Sequence, residues 1–473
     1  MKEFSPNINI TGQLGILDWP VFFIILGVTY ISVFYGLSKK KKNKKDTSAL
    51  DHLIMGRQLT LPMFIATLVA TWYGGIFGVT KIAFNQGIYN FITQGVFWYI
   101  AYIAFAFFMV DKIAPYKAVT LPDLIKKMFG KKSGLLGAFF NFFNVLPISY
   151  AISIGLFIQL LSGYSFELSM SIGLLLVASY SSFGGLRSVV FSDLIQFFVM
   201  CSGVAIVLIL SISSFGGIEF LKSNLPETHF SLTGTNSVAT TFIWGMIALS
   251  TLVDPNFYQR CFAAKSPKVA KKGILISTLI WAAFDICTTF GAMYARAVIP
   301  EAEAKTAYIT YAIQLLPEGL RGFFLAAILA TILSTLDSYL FLSGATISYD
   351  LSPEKLRTKR YSQFFGTIFA ALFAYLMAIF FDGDIKSVWK TLGSYSAACL
   401  LLPVILGHTL KKRITDDQFI ITCLSGVVTT SWWRNTSHEG FFTNVDEIYI
   451  GALTTVSIYL YFIFTQKREE SYE

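Results

Sequence analysis

One apolar run of this chain carries a polar stripe. Between Ala326 and Asp350 (AAILATILSTLDSYLFLSGATISYD) the sequence is long and apolar enough to cross a bilayer, yet Thr331, Ser334, Thr335, Asp337 and Ser338 sit near its middle. Positions 331, 334, 335 and 338 follow the i, i+3, i+4, i+7 spacing that places side chains on one helical face. Asp337 lies beside that stripe. A carboxylate deep in a membrane helix costs roughly 2.5–3.5 kcal/mol on insertion scales, so it needs a partner, a cavity or an ion. Small hydroxyls flanking a carboxylate are hard oxygen donors without bulk, which suits a hard cation such as Na⁺. Serine and threonine in membrane helices also bond back to their own helix or let helices pack closely. The aspartate among them favours the ion.

A second stretch offers the other half of such a site. Ala70-Thr71-Trp72-Tyr73-Gly74-Gly75 lies inside an apolar run, with Pro62 before it and Gly78 beyond. Adjacent glycines weaken a helix and permit unwinding. Unwound backbone frees carbonyl oxygens, tolerable at membrane depth only where protein or a wet cavity satisfies them. Discontinuous helices at the midplane are where secondary transporters hold ions and substrate. The glycines could equally form a packing face, but Trp72 and Tyr73 beside them supply the flat rings that line apolar pockets and cation cages.

A third stretch, Gly184-Gly185-Leu186-Arg187-Ser188-Val189-Val190-Phe191-Ser192-Asp193-Leu194-Ile195-Gln196, makes a tight turn and then carries Asp193 and Gln196 into an apolar helix. Asp193 either caps or pairs near the interface, or supplies a second carboxylate to a cation site. Gln94, Asn141, Asn144 and Asp285 are further polar groups within apolar runs, Trp98, Trp244 and Tyr395 are candidates for pocket walls or for packing, and Asp254 before Pro255 is expected to end or kink its helix. The four histidines do not cluster with carboxylates in any run, and no phosphate-cradling loop or nucleophile elbow is visible, so an enzyme is not expected.

The elements that must position these residues are membrane helices. The chain is 54% hydrophobic and 14% charged, with a mean hydropathy of +0.60. That composition belongs to a polytopic membrane protein. The net charge of +9 sits in short loops between apolar runs, where it reports topology and not nucleic-acid binding. The five cysteines show no CxxC pair, so neither a metal site nor a disulfide framework is implied. Met1 to Asp18 is polar and the first apolar run is followed by lysines, as in a stop-transfer helix; no cleavable signal is expected. At ~20 residues per crossing, about thirteen spans can be read: 17–38, 61–82, 92–110, 134–162, 166–183, 187–213, 236–256, 273–299, 321–349, 362–381, 387–409, 417–433 and 446–465. Lys39 to Lys45, the loop DKIAPYKAVTLPDLIKKMFGKK, the lysines from Lys265 to Lys272, EKLRTKR and Lys411-Lys412-Arg413 all fall on one side. The positive-inside rule makes that side cytoplasmic, with the N-terminus outside and the C-terminus inside.

The motifs together resemble the sodium:solute symporter family over nearly all of the chain. GGLRSVVFSDLIQ is similar to the family signature of its fifth core helix, LATILSTLDSYLFLSGATISYDL to its eighth, and IMGRQLTLPMFIATLVATWYGG to its first. PNFYQRCFAAKSPKVAKKG and AVTLPDLIKKMFGKK are similar to its cytoplasmic connections. The resemblance implies an all-α, LeuT-like core of two inverted five-helix repeats within a single transporter domain. The first repeat would span 61–213 and the second 236–409, with one additional N-terminal helix (17–38) and two additional C-terminal ones (417–465). It implies a main sodium site from backbone oxygens of Ala70, Tyr73 and Thr331 with the hydroxyls of Ser334 and Thr335. It also implies a possible second sodium near Asp193, with Asp337 and Ser338, although Asp337 could instead serve the substrate. TWYGG and STLDS look closest to the choline-transporter branch, which hints at an organic cation held by Trp72 and an aspartate. The expected substrate set is Trp72, Gly74, Gly75, Gln94, Trp98, Asn144, Trp244 and Tyr395. The expected function is Na⁺-coupled import of a small polar solute across the plasma membrane by a monomer in the lipid bilayer. The rivals are a channel, a membrane enzyme and a solute sensor that has lost transport.

Overall fold

The computed structural model describes residues 4–38, 49–353, 355, 357, 360–439, 442 and 445–465. The lysine cluster from Lys39 to Lys45, most of the EKLRTKR loop and the tail beyond 465 lie outside the described residues. Among those described, every regular element is a helix, apart from one isolated parallel bridge between Leu59 and Ala264.

The sequence breaks its helices at named places, and those breaks organise the fold. α1 (Asp18–Ser38) is an apolar helix. α2 (Leu61–Ala70) starts with proline in its first turn and stops at Thr71, and α3 (Ile76–Gln86) restarts after Gly75. α4 (Phe91–Tyr116) follows, then α5 (Lys131–Asn144) and α6 (Ile148–Ser162), which are parted at Pro147. α7 (Phe166–Ser181) and α8 (Gly184–Phe215) turn into one another at Gly185, whose φ of 65° suits glycine. α9 (Val238–Ala248) tightens into 3₁₀ turns at Leu249–Val253 before α10 (Pro255–Ala263) begins. α11 (Pro267–Val298), the short α12 (Ala307–Leu315), α13 (Leu320–Leu351), α14 (Arg360–Phe380), α15 (Ile385–Thr409), α16 (Asp416–Arg434) and α17 (Glu447–Thr465) complete the chain.

Among the described residues, ten helical stretches are long and apolar enough to cross a membrane by length and composition. The other expected crossings are helical but shorter, interrupted or more polar: the α2–α3 pair, α7, and α16, which opens on Asp416 and Asp417. Large apolar side chains such as Ile24, Phe34, Leu175, Phe198, Leu279, Leu372, Val428 and Leu453 point outward, as a lipid-facing surface requires.

α13 is the axis. Every residue of its most apolar window is buried, and it packs against α1, α8 and α14. Its start is fixed by Asp18, a fully buried carboxylate that accepts from Gly319 N (2.7 Å) and Gly322 N (2.9 Å). An acidic side chain there satisfies amide donors that the first helical turn leaves free. A side chain on Gly322 would lie 2.0 Å from the Asp18 carbonyl, so this close crossing demands glycine.

Candidate ion and substrate site

The polar stripe of α13 meets the broken end of α2. Ala70 ends α2, so its carbonyl lacks the amide that a continued helix would supply. Ser334 Oγ donates to that carbonyl at 2.7 Å and Thr335 Oγ1 reaches it at 3.4 Å. Both hydroxyls also bond the Thr331 carbonyl, at 3.1 and 3.2 Å. Gly74 N donates to Thr335 Oγ1 at 2.9 Å, tying the unwound segment to α13. Ala70, Thr331, Ser334 and Thr335 are fully buried. Two carbonyls and two hydroxyls therefore converge between helices, a hard, neutral oxygen set of the kind that holds a monovalent cation. The Thr331 hydroxyl turns back to Ala327 O at 2.7 Å, leaving its carbonyl as the contribution to this cluster. Tyr73 is buried in the same unwound segment, and its hydroxyl reaches Trp281 O at 3.4 Å.

A charged cluster lies further along α13, on the face turned to α8. Asp193 accepts from the Thr67 hydroxyl and lies 3.9 Å from the Arg260 guanidinium, with both charged side chains fully buried. Arg260 also donates to Ser338 Oγ at 3.1 Å, to Thr67 Oγ1 at 3.2 Å and to Asn256 Oδ1. Asp337 is buried close by. One oxygen each of Asp193, Asp337 and Gln196 finds no hydrogen-bond partner among the described residues. The three residues expected at a second sodium site, Asp193, Asp337 and Ser338, are thus brought together. A guanidinium stands among them that sequence reading placed at the end of a span. Of the two carboxylates, only Asp193 lies within 4.0 Å of the guanidinium among the described residues.

The cavity beside the break has about 980 Å³ of empty space, counting its open side. Trp72, Gly75, Gln94, Trp98 and Asn144 line it as expected. Gly74, Trp244, Tyr395 and Asp337 do not. Gly74 is pressed between Thr335 and Tyr150, where a side chain would come within 2.6 Å of Thr335 Cβ. Trp244 is buried next to Tyr89, a turn beyond the lining residue Ile247. The Tyr395 hydroxyl pairs with Ser431 Oγ at 2.8 Å on α16. α15 instead presents Trp389, Gly393 and Ser396 to the cavity, a spacing of one helical face that excludes 395. Sequence reasoning missed Ser149, Tyr150, Ser250, Tyr339 and Trp389, which carry no local signal. It also missed Asp254 as a wall of the cavity. There the signal existed: aspartate before proline is the signature of a helix start, and Asp254 Oδ1 accepts from Asn256 N (2.8 Å) and Phe257 N (3.3 Å) to open α10.

The sodium:solute symporter family model matches residues 52–417, well over half of the chain. The chain belongs to the sodium:solute symporter family. This symporter is 25% identical over 431 residues to the sodium/pantothenate symporter of Escherichia coli (strain K12), covering 85% of this chain and 88% of that one. It is 24% identical over 371 residues to a high-affinity proline transporter of Bacillus subtilis (strain 168), covering 74% and 77%. Among solved structures it matches a substrate-bound, outward-open Na⁺-coupled sialic acid symporter with a TM-score of 0.72 at 19% identity, covering 94% of this chain and 97% of that one. A closed nucleobase-cation-symport-1 family transporter matches with a TM-score of 0.56 at 13% identity, covering 85% and 91%. At these identities the structures establish the fold, an all-α LeuT-like bundle. The chain is a multi-pass membrane protein of a transporter family and not an enzyme.

Proposed function

We propose that this protein imports a small polar organic solute by alternating access, driven by sodium, as a monomer in the plasma membrane. Its N-terminus would face outside and its C-terminus the cytoplasm. The observation that carries the reading is the convergence of Ser334 and Thr335 hydroxyls on the free Ala70 carbonyl, 2.7 and 3.4 Å away. A sodium ion bound there by the carbonyls of Ala70, Tyr73 and Thr331 and by these two hydroxyls fastens α2 to α13 and orders the segment Thr71–Gly75, which walls the substrate cavity. Release of the ion to the cytoplasm loosens both. A second sodium lies beside Asp193, Asp337 and Ser338, where one oxygen of each carboxylate finds no hydrogen-bond partner among the described residues. Each charge moved inward draws about 2.3 kcal/mol from a 100 mV potential, so the second ion doubles the electrical drive. The inverted repeats run over 61–213 and 236–409, and each opens with a broken helix, α2–α3 and α9–α10.

The test is uptake into proteoliposomes of radiolabelled solutes carried by relatives, pantothenate and proline first, under an inward sodium or potassium gradient. Uptake should need sodium and disappear in Ser334→Ala/Thr335→Ala, while Asp337→Asn should lower the sodium dependence from about two ions to one. Saturable uptake indifferent to sodium would remove the proposal. Sodium-dependent binding with no uptake of any solute would make the protein a sensor.

A further inference from the structure

Resting on the symporter reading, we infer that the solute carries a cationic, alkylated nitrogen, and that Asp254 with a set of aromatic faces recognises it. Among the described residues lining the cavity, Asp254 is the only one whose side chain bears a formal charge; none is lysine, arginine or histidine. Asp254 as a residue is partly exposed, and it lines the cavity. One of its oxygens caps α10, and the other has only the Tyr339 hydroxyl at 3.4 Å, a long contact that leaves lone pairs free for a ligand. Arg260, six residues on, is fully buried, its terminal nitrogens donate to Asn256, Thr67 and Ser338, and it does not line the cavity.

Five aromatic rings share the cavity with this carboxylate, and Tyr339 touches it. Trp72, Trp98, Tyr150, Tyr339 and Trp389 all line the same space. Tyr150 and Tyr339 meet edge to face at 4.9 Å, and Trp72 and Trp98 at 5.3 Å, so the ring orientations are set by one another before any ligand arrives. An ammonium over such faces is attracted by the ring quadrupoles, and more so when it is desolvated. An anionic solute would face Asp254 with no counter-charge in the wall, and a neutral sugar would leave the carboxylate unanswered.

The experiment compares choline with its neutral isostere 3,3-dimethyl-1-butanol, alongside pantothenate and glucose. Binding to the purified full chain is followed by thermal stabilisation and by intrinsic tryptophan fluorescence, in NaCl and in KCl. Wild type should bind choline about tenfold or more tighter than the isostere in NaCl. Asp254→Asn, which keeps a capping acceptor for α10, should narrow that gap to about threefold or less. If Asp254→Asn does not fold, Trp98→Leu should weaken choline several-fold and leave the isostere nearly unchanged. Sodium-dependent binding of pantothenate or glucose in preference to choline would overturn the cation assignment and leave sodium coupling intact. An unchanged choline preference in Asp254→Asn would overturn the role of the carboxylate. Choline binding that is the same in NaCl and KCl would instead count against the sodium reading on which this one rests.

Discussion

The Asp193–Arg260 pair gives the most direct test of how the interior is wired. At 3.9 Å and an effective dielectric of about 20, the two charges attract by about 4 kcal/mol. Both side chains are fully buried, so neither can turn to water when its partner is removed. Arg260→Met leaves Asp193 with only the Thr67 hydroxyl, and Asp193→Asn leaves the guanidinium hydrogen-bonded to neutral oxygens, with no described carboxylate within 4.0 Å. Breaking a buried pair from one side costs about 3–5 kcal/mol, whereas replacing both members with neutral groups of similar volume is often close to neutral. The double variant Asp193→Asn/Arg260→Met should therefore recover most of what either single variant loses, giving a coupling of about 3–4 kcal/mol. The assay is thermal unfolding of the purified protein followed by tryptophan fluorescence. At about 1–2 °C per kcal/mol for a chain this long, an extrapolation from smaller domains, the single variants should melt roughly 4–8 °C below wild type. The double variant should lie within about 3 °C of it. If the two losses simply add, the charges are not coupled, and the guanidinium is held by Asn256 and Ser338 alone.

Two further outcomes follow from the geometry. A side chain at Gly75 would lie 2.3 Å from Trp389 Cζ2, so Gly75→Ala should cost about 1–3 kcal/mol by overpacking and block uptake by pushing Trp389 off its face of the cavity; a variant that melts and transports like wild type would show that this contact can yield. His229, buried in the segment between α8 and α9 with Nε2 on Phe84 O at 3.1 Å, is held below the usual histidine range, chiefly by desolvation and also by the nearby Arg296 charge. The unfolded chain then binds the extra proton first, so stability should be full above pH ~6.5 and fall as the pH drops below it; His229→Gln should flatten that fall in melting curves taken from pH 8 to 5.

Much of the fold was legible because membrane helices are written locally. Apolar runs of sufficient length, ended by lysines or by Gly, Pro and Asp, need no knowledge of their neighbours. The α2–α3 break was legible for the same reason, since Gly74 and Gly75 weaken the helix in which they sit. Length and composition count fewer crossings than the runs suggested because a broken helix such as α2–α3 is too short in each half. α16 escapes because Asp416 and Asp417 make its first turn polar, after the Thr415 cap; Asp416 there accepts from Ser133 N at 2.6 Å.

The site divides along the same line. Ser334, Thr335 and Ala70 could be named because each half of the cluster obeys a local rule: a hydroxyl stripe at helical spacing, and a carbonyl freed by a helix break. Arg260 could not be named as the partner of Asp193, because 67 residues of chain separate them and a basic residue near the end of a span reads first as a topology signal. Asp254-Pro255 does end the preceding helical run, as expected. What its reading left out is that a new helix starts there: Asp254 caps α10, which carries Arg260 into the protein instead of into a loop. The same residue then has two duties in one position. Capping α10 fixes the carboxylate at the mouth of a break, and a break is where the membrane interior tolerates a polar cavity. A residue that merely ended a helix could have been asparagine or serine without loss. The free lone pairs that Asp254 turns toward the cavity are the part of its chemistry that capping does not use.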